Sequence, residues 1–202
     1  MPPESKTKAQ QARAPFRAAV VQAAPVLGED GGCDTESTLD ETEEWIATAA
    51  SQGARLIVFP EAYIGGYPKG EDFGIRLGTR SDEGRAAFAR YFQSAIDVPG
   101  QEITRLCRAA KTHNVELVVG VIERDGSTLY CTALYVGAEG SLRGKHRKLI
   151  PTALERCVWG RGDASTLAAA DTPLGKVGAA ICWENYMPVS YTHLTLPTIY
   201  SV

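Results

Sequence analysis

Three reactive side chains close three β-forming runs of the chain: "IVFPE" ends on Glu61, "HRKL" carries Lys148, and "AAIC" ends on Cys182. A thiol attacks carbon as its thiolate. A carboxylate can accept the proton, and an ammonium group both favours the thiolate and stabilises an anion forming on the substrate. Glu61, Lys148 and Cys182 therefore amount to a base, an electrophilic stabiliser and a nucleophile, with no metal and no cofactor required. Each also has a plainer reading. Free cysteine is commonly core filling, Glu61 after Pro60 can cap the next segment, and "KHRK" is the kind of run that usually forms a solvated basic face.

A Cys–His arrangement is the competing chemistry, but the histidines are poorly placed for it. His113 falls at the end of a helical pattern, His146 lies inside the basic run, and His193 belongs to a tail of different composition. Neither a GxGxxG nor a P-loop glycine pattern is present, so a nucleotide reading has no support.

The elements that must position these residues begin with a βαβ unit. "FRAAVVQAAP" reads as a strand, "DTESTLDETEEWIATAASQGA" as a helix with Asp34, Thr35 and Ser37 as candidate caps and Gly53 as its stop, and "RLIVFPE" as a parallel strand. "AYIGGYPKGEDFG" cannot continue either element and reads as a loop at the carboxyl end of that second strand, where open α/β sheets bind ligands. The segment from Tyr63 to Gly74, with Tyr67 as a substrate-side residue, is expected to form one pocket wall.

Helical patterns around 83–95 and 101–113 precede three strands, "VELVVGVIE", "TLYCTALYVG" and "SLRGKHRKLI", joined by the hairpin-type turns "RDGS" and "GAEG". After the loop "PTALERCVWGRGDAS", the stretch "TLAAADTPLGKVGAAIC" reads as a strand, a tight turn at Pro173 to Gly175, and a strand buried on both faces. That last strand would deliver Cys182 to the rim of the sheet, crowded by Trp183 and Glu184.

With 202 residues and 44% hydrophobic composition the chain can bury a real core in one domain or at most two. A net charge of -3 with mixed signs gives no electrostatic footprint for nucleic acid or an anionic membrane, so a small molecule or another protein is the expected partner. The five scattered cysteines lack CxxC spacing and suit a reducing compartment. No segment approaches the ~20 apolar residues that span a bilayer. Residues 1–15 read as a disordered leader without a secretory core, and the chain as cytoplasmic.

"VFPEAYIGGYPKG", "GKHRKLIPTALERCVWGRGD" and "AAICWENYMP" together closely resemble, in order and separation, the signature blocks of the nitrilase branch of the carbon-nitrogen hydrolase superfamily. The resemblance implies an α/β fold, an α-β-β-α sandwich, and a catalytic triad of Glu61, Lys148 and Cys182. It implies a second glutamate, Glu155, that positions substrate or lysine; the plainer reading pairs Glu155 with Arg156 or Arg147. Trp183 is expected beside the nucleophile, excluding solvent, and Glu184 in a supporting role.

The implied reaction hydrolyses a nitrile with water to a carboxylic acid and ammonia through a thioimidate and a thioester. Amidase or carbamoyl-hydrolase chemistry is the alternative, and full-length relatives are expected to be homo-oligomers. The likeness runs over 16–188 as the N-terminal part of such a domain. Residues 189–202, "VSYTHLTLPTIYSV", read as a tail foreign to it, so the sandwich is expected to be incomplete at its C-terminus and the chain, in a further reading, an inactive fragment.

Overall fold

The computed structural model describes residues 14–188 and 190. Most of the expected leader and tail, His193 included, lies outside the described residues. The chain opens with β1 (Arg17–Val20), α1 (Thr35–Ser51) and β2 (Ala54–Val58), and β1 pairs parallel with β2, as the βαβ reading requires. Asp34 caps α1 by accepting from the Ser37 N–H at 3.0 Å, which satisfies one of the helix's unpaired donors.

Next come α2 (Asp82–Ser94), β3 (Ile96–Asp97), α3 (Gln101–His113), β4 (Glu116–Asp125), β5 (Thr128–Val136) and β6 (Leu142–Arg147). Asn114 ends α3 in the left-handed region at φ 53. Gly126, at φ 59, supplies the positive torsion of the tight β4–β5 hairpin.

These strands form one six-stranded sheet in the order β1-β2-β4-β5-β6, with β3 also on β4. Alternation along the strands divides the side chains between two faces. Leu117, Val119 and Val121 of β4 and Leu134 and Val136 of β5 pack with Leu39 and Ile46 of α1 and Ile103, Leu106 and Ala110 of α3. Each such fully buried Leu or Ile stabilises the fold by roughly 1.5–3 kcal/mol. On the opposite face, Ile122, Leu129, Cys131 and Ala133 pack with Trp159 and Ile181, and Phe88, Tyr91 and Phe92 of α2 close one end. The candidate site residues stand on this second face. No described helix is long and apolar enough to cross a membrane.

One expectation is corrected here. The stretch 177–182 is not a strand buried on both faces. β7 (Ala170–Thr172) and β8 (Gly175–Val177) form a separate two-stranded hairpin, and Cys182 opens a 3-10 turn, Cys182–Tyr186. A strand needs an edge partner, and among the described residues none runs beside 178–181. This segment instead lies across the second face of the sheet: the Ala179 N–H donates to the Tyr135 hydroxyl at 2.9 Å, and Ile181 packs in the Cys131–Ala133 cluster.

Candidate active site

Glu61 is placed by a detour of the backbone. Beyond β2 the chain still follows β4, with the Phe59 N–H on Val118 O at 2.8 Å, and it rejoins β4 where the Ile64 N–H meets Gly120 O at 3.1 Å. Between those bonds Pro60, Glu61 and Ala62 arch over the sheet directly above Gly120. A Cβ at Gly120 would lie 2.0 Å from Pro60 O and 2.8 Å from Glu61 Cα, so only glycine lets the arch sit there. Ala62 completes the arch in the left-handed region at φ 52.

Lys148 follows β6 and continues its ladder. The Lys148 N–H donates to Cys131 O at 2.8 Å, one step on from the Thr132–Arg147 pair. Lys148 is 1% exposed, and its Nζ donates to Glu61 Oε1 at 2.6 Å and to Glu155 Oε2 at 2.8 Å. The solvated-face reading of "KHRK" thus fails for alternate residues. Lys145 and Arg147 point to the other face and share Glu123, while His146 and Lys148 point into the site. Burial disfavours the Lys148 ammonium, but hydrogen bonds to Glu155 and Glu61 outweigh it and raise its pKa. The ring of Trp159 lies 5.5 Å from Nζ.

Glu155 sits in a 3-10 turn, Ala153–Cys157, and folds back in a capping box that accepts the Thr152 N–H at 2.6 Å. Its other oxygen accepts from the Tyr67 hydroxyl at 2.8 Å. It makes no ion pair with Arg156 or Arg147. Burial pushes the Glu155 pKa up, but Lys148, the Thr152 N–H and Tyr67 together hold it below the usual range. The same bond to Glu155, with burial second, pushes Tyr67 up to about 12. Both Glu155 oxygens are therefore engaged, whereas Glu61 Oε2 accepts no hydrogen bond among the described residues. The two carboxylates thus differ in a property that suits a proton acceptor: Glu61 alone has an oxygen with no described donor on it.

Cys182 lines a cavity of about 210 Å³ together with Glu61, Cys131, Gly120 and Ile181. Its backbone is in the left-handed region at φ 55, which costs a non-glycine residue about 1–2 kcal/mol and is the kind of strain found where a side chain must be aimed. The thiol is exposed and makes no hydrogen bond among the described residues, so Glu61, Lys148 and Glu155 are in direct contact while Cys182 meets Glu61 only across the cavity.

Trp183 does not shield the thiol as expected. The 3-10 turn swings it outward, 57% exposed, against Tyr186 at 5.2 Å. Glu184 is buried in its place. It accepts the Ile181 N–H at 2.7 Å, the Leu149 N–H at 2.7 Å, and pairs with His146 Nε2 at 2.9 Å. Burial raises the Glu184 pKa, but these hydrogen bonds prevail and lower it. Glu184 thereby ties the Cys182 turn to the residue that follows Lys148.

Sequence reasoning missed three residues of the site: His146, Trp159 and Cys131, whose thiol lies 3.6 Å from Glu61 Oε1. The period-2 alternation of "KHRKL" carried the signal for His146, since it shares a face with Lys148.

Residues 17–199 match the family profile described as carbon-nitrogen hydrolase, a match that runs past Pro188 into the segment outside the described residues. A bifunctional nitrilase/nitrile hydratase of Lupinus angustifolius is 56% identical over 176 residues, 87% of this chain and 49% of that protein. Nitrilase 3 of Arabidopsis thaliana is 54% identical over 178 residues, 88% of this chain and 50% of that protein. An aliphatic nitrilase of Sinorhizobium fredii is 56% identical over 177 residues, 88% of this chain and 56% of that protein.

The chain thus spans about half the length of the curated relatives it matches. A carbon-nitrogen hydrolase from Helicobacter pylori superposes with a TM-score of 0.60 at 20% identity, covering 87% of this chain and 55% of that one. A Saccharomyces cerevisiae member of branch 10 of the nitrilase superfamily gives 0.59 at 19%, covering 84% and 55%. At those identities the likeness is one of fold.

Proposed function

The chain belongs to the carbon-nitrogen hydrolase family, and from that premise we propose that its site converts a nitrile and two waters into a carboxylic acid and ammonia. The observation that carries the reading is the meeting of Glu61 and Cys182 on one cavity, with Lys148 clamped beside it between Glu61 and Glu155. Residues 16–188 would supply the N-terminal part of the hydrolase domain.

In this mechanism Glu61 Oε2 takes the Cys182 proton. The thiolate adds to the nitrile carbon, the nitrogen gains the proton, and a thioimidate results. Water gives a proton to Glu61 and adds to the same carbon. The Lys148 ammonium stabilises the tetrahedral species in a site of low dielectric. The added hydroxyl passes its proton to nitrogen and Glu61 returns the one it took from water, so the C–N bond breaks, ammonia leaves, and the oxygen closes to the carbonyl of a thioester. A second water, again through Glu61, cleaves the C–S bond to the acid and restores the thiol. General base catalysis of this kind is worth ~10²- to 10⁴-fold. The lupin relative is named as bifunctional. Here an amide would arise if the tetrahedral carbon lost sulfur before nitrogen.

Ammonia, acid and amide released from phenylacetonitrile, a small aliphatic nitrile, cyanide and the matching amides test the reading, with Cys182→Ala as the control. Acid and ammonia from nitriles, absent in the control, support it; turnover of amides alone replaces it with an amidase. The exposure of the Cys182 thiol favours a second reading, in which this chain carries the site but does no chemistry until the turn is covered. Soluble chain without turnover supports that one. We extend the proposal to a homo-oligomer, supported by the uncovered Val20, Leu154 and Tyr186 side chains and tested by native mass, and to a cytoplasmic location, which the five free cysteines suit and fractionation of the expressing cells tests.

A further inference from the structure

Cys131 is a buried thiol at the centre of the site for which the reaction above has no use. It stands on β5 opposite Lys148, bonded to it through the backbone, and the two side chains leave the sheet on the same face. Its Sγ lies 3.6 Å from Glu61 Oε1, the oxygen that also accepts from Lys148 Nζ at 2.6 Å. Burial above all, and the charge of Glu61 after it, push the Cys131 thiol well above its usual pKa, so it stays protonated and acts as a donor. Cys131 also lines the cavity that Glu61 shares with Cys182.

A carboxylate gripped at one oxygen from two directions cannot turn about its terminal torsion without losing one of the two bonds. Glu61 is gripped in this way at Oε1 only, and its Oε2 has no described partner. We propose that Cys131 is a positioning residue, whose thiol joins Lys148 in fixing Glu61 Oε1 so that Oε2 is the oxygen presented to Cys182. The inference rests on the reading of Glu61 as the base that takes the Cys182 proton. It assigns the thiol no covalent step.

The test reads the reactivity of Cys182 itself, so it does not depend on turnover. The 202-residue chain and its Cys131→Ala, Cys131→Ser and Glu61→Gln variants are treated with iodoacetamide near neutral pH. Alkylation at Cys182 is followed by peptide mass spectrometry, with the exposed Cys157 as internal reference. A positioned base predicts that Glu61→Gln slows Cys182 by at least ~10-fold and that Cys131→Ala slows it by about 10-fold, both a fraction of a general base's full worth. Cys131→Ser keeps a donor and stays within about twofold of the unsubstituted chain.

A fast Cys131→Ala beside a slow Glu61→Gln overturns the positioning role and leaves Glu61 as base. An unchanged Glu61→Gln overturns the base reading and this inference with it. A serine variant as slow as the alanine one shows that volume, not donation, matters, and also overturns the inference. Should the alanine cavity loosen β5, seen as faster labelling of Cys107 and Cys33, Cys131→Val fills the space without a donor and carries the same expectation.

Discussion

The corner holding Glu61, Lys148 and Glu155 and the turn carrying Cys182 lie on the same face of one sheet but are secured in different ways. At the corner, Lys148 hangs from the β5–β6 ladder, Glu61 arches over Gly120, and Glu155 is bound by its own capping box, so three independent backbone devices converge on one ammonium. The Cys182 turn has no ladder and is secured by one buried carboxylate, Glu184, that gathers two backbone N–H groups and His146. The Glu61–Lys148–Glu155 corner is thus preorganised by the sheet, whereas the Cys182 turn hangs on Glu184 as its main strut, with the Ala179–Tyr135 bond and the packing of Ile181 holding the segment just before it.

Activity gives the sharpest test of that contrast. Cys182→Ala should reduce turnover by at least ~10³-fold, about 4 kcal/mol in the barrier, while its exposed position keeps the change in stability within about 0.5 kcal/mol. Ammonia release and urea midpoints measure the two effects. Lys148→Met should lower both activity and stability, the latter by roughly 3–5 kcal/mol, because two carboxylates then face each other without their cation. A midpoint close to that of the unsubstituted chain would mean the corner is not preorganised.

Glu184→Ala should cost about 3 kcal/mol or more, since it leaves two buried N–H groups and His146 unpaired. Its particular signature is faster hydrogen exchange over 178–187 than over α1 and α3. Uniform exchange would show that the turn has support beyond the strut.

A smaller effect comes from pH. Glu184 and Glu155 both have lowered pKa values in the folded state, so below their unfolded values of about 4.3 the unfolded chain binds more protons. Their stabilisation is fully present above that pH and is lost as pH falls through the folded values. Urea midpoints should drop below about pH 4, and less steeply in Glu184→Gln. The smallest change is Tyr67→Phe, which removes one partly exposed bond to Glu155 at a cost of about 1 kcal/mol or less. Its effect should stay several-fold below that of Lys148→Met in ammonia release.

Local elements were legible where the signal is local. Asp34 and Gly53 bracket α1, the helical pattern over 101–113 forms α3, and the "RDGS" turn makes the β4–β5 hairpin, because caps, short-range periodicity and turn torsions depend on neighbours in the chain. The "VGAAIC" stretch misled because a run of small apolar residues looks alike whether it pairs at a sheet edge or lies flat against a sheet face. Trp183 misled for the same reason, since the direction of a turn is set by what Glu184 binds beneath it.

Glu61, Lys148 and Cys182 stood out in the sequence by residue type and by their places at the ends of strand-like runs, and the family resemblance added Glu155; the types of the first three define a candidate base, cation and nucleophile. Only the folded chain separated the two glutamates, since both oxygens of Glu155 are engaged while Glu61 keeps one open, and only it drew Cys131 and His146 into the site. Those distinctions arise from pairings between strands and loops many residues apart. Hydrogen-bond saturation and burial are properties of such pairings, and a linear sequence does not contain them until the sheet brings the partners together.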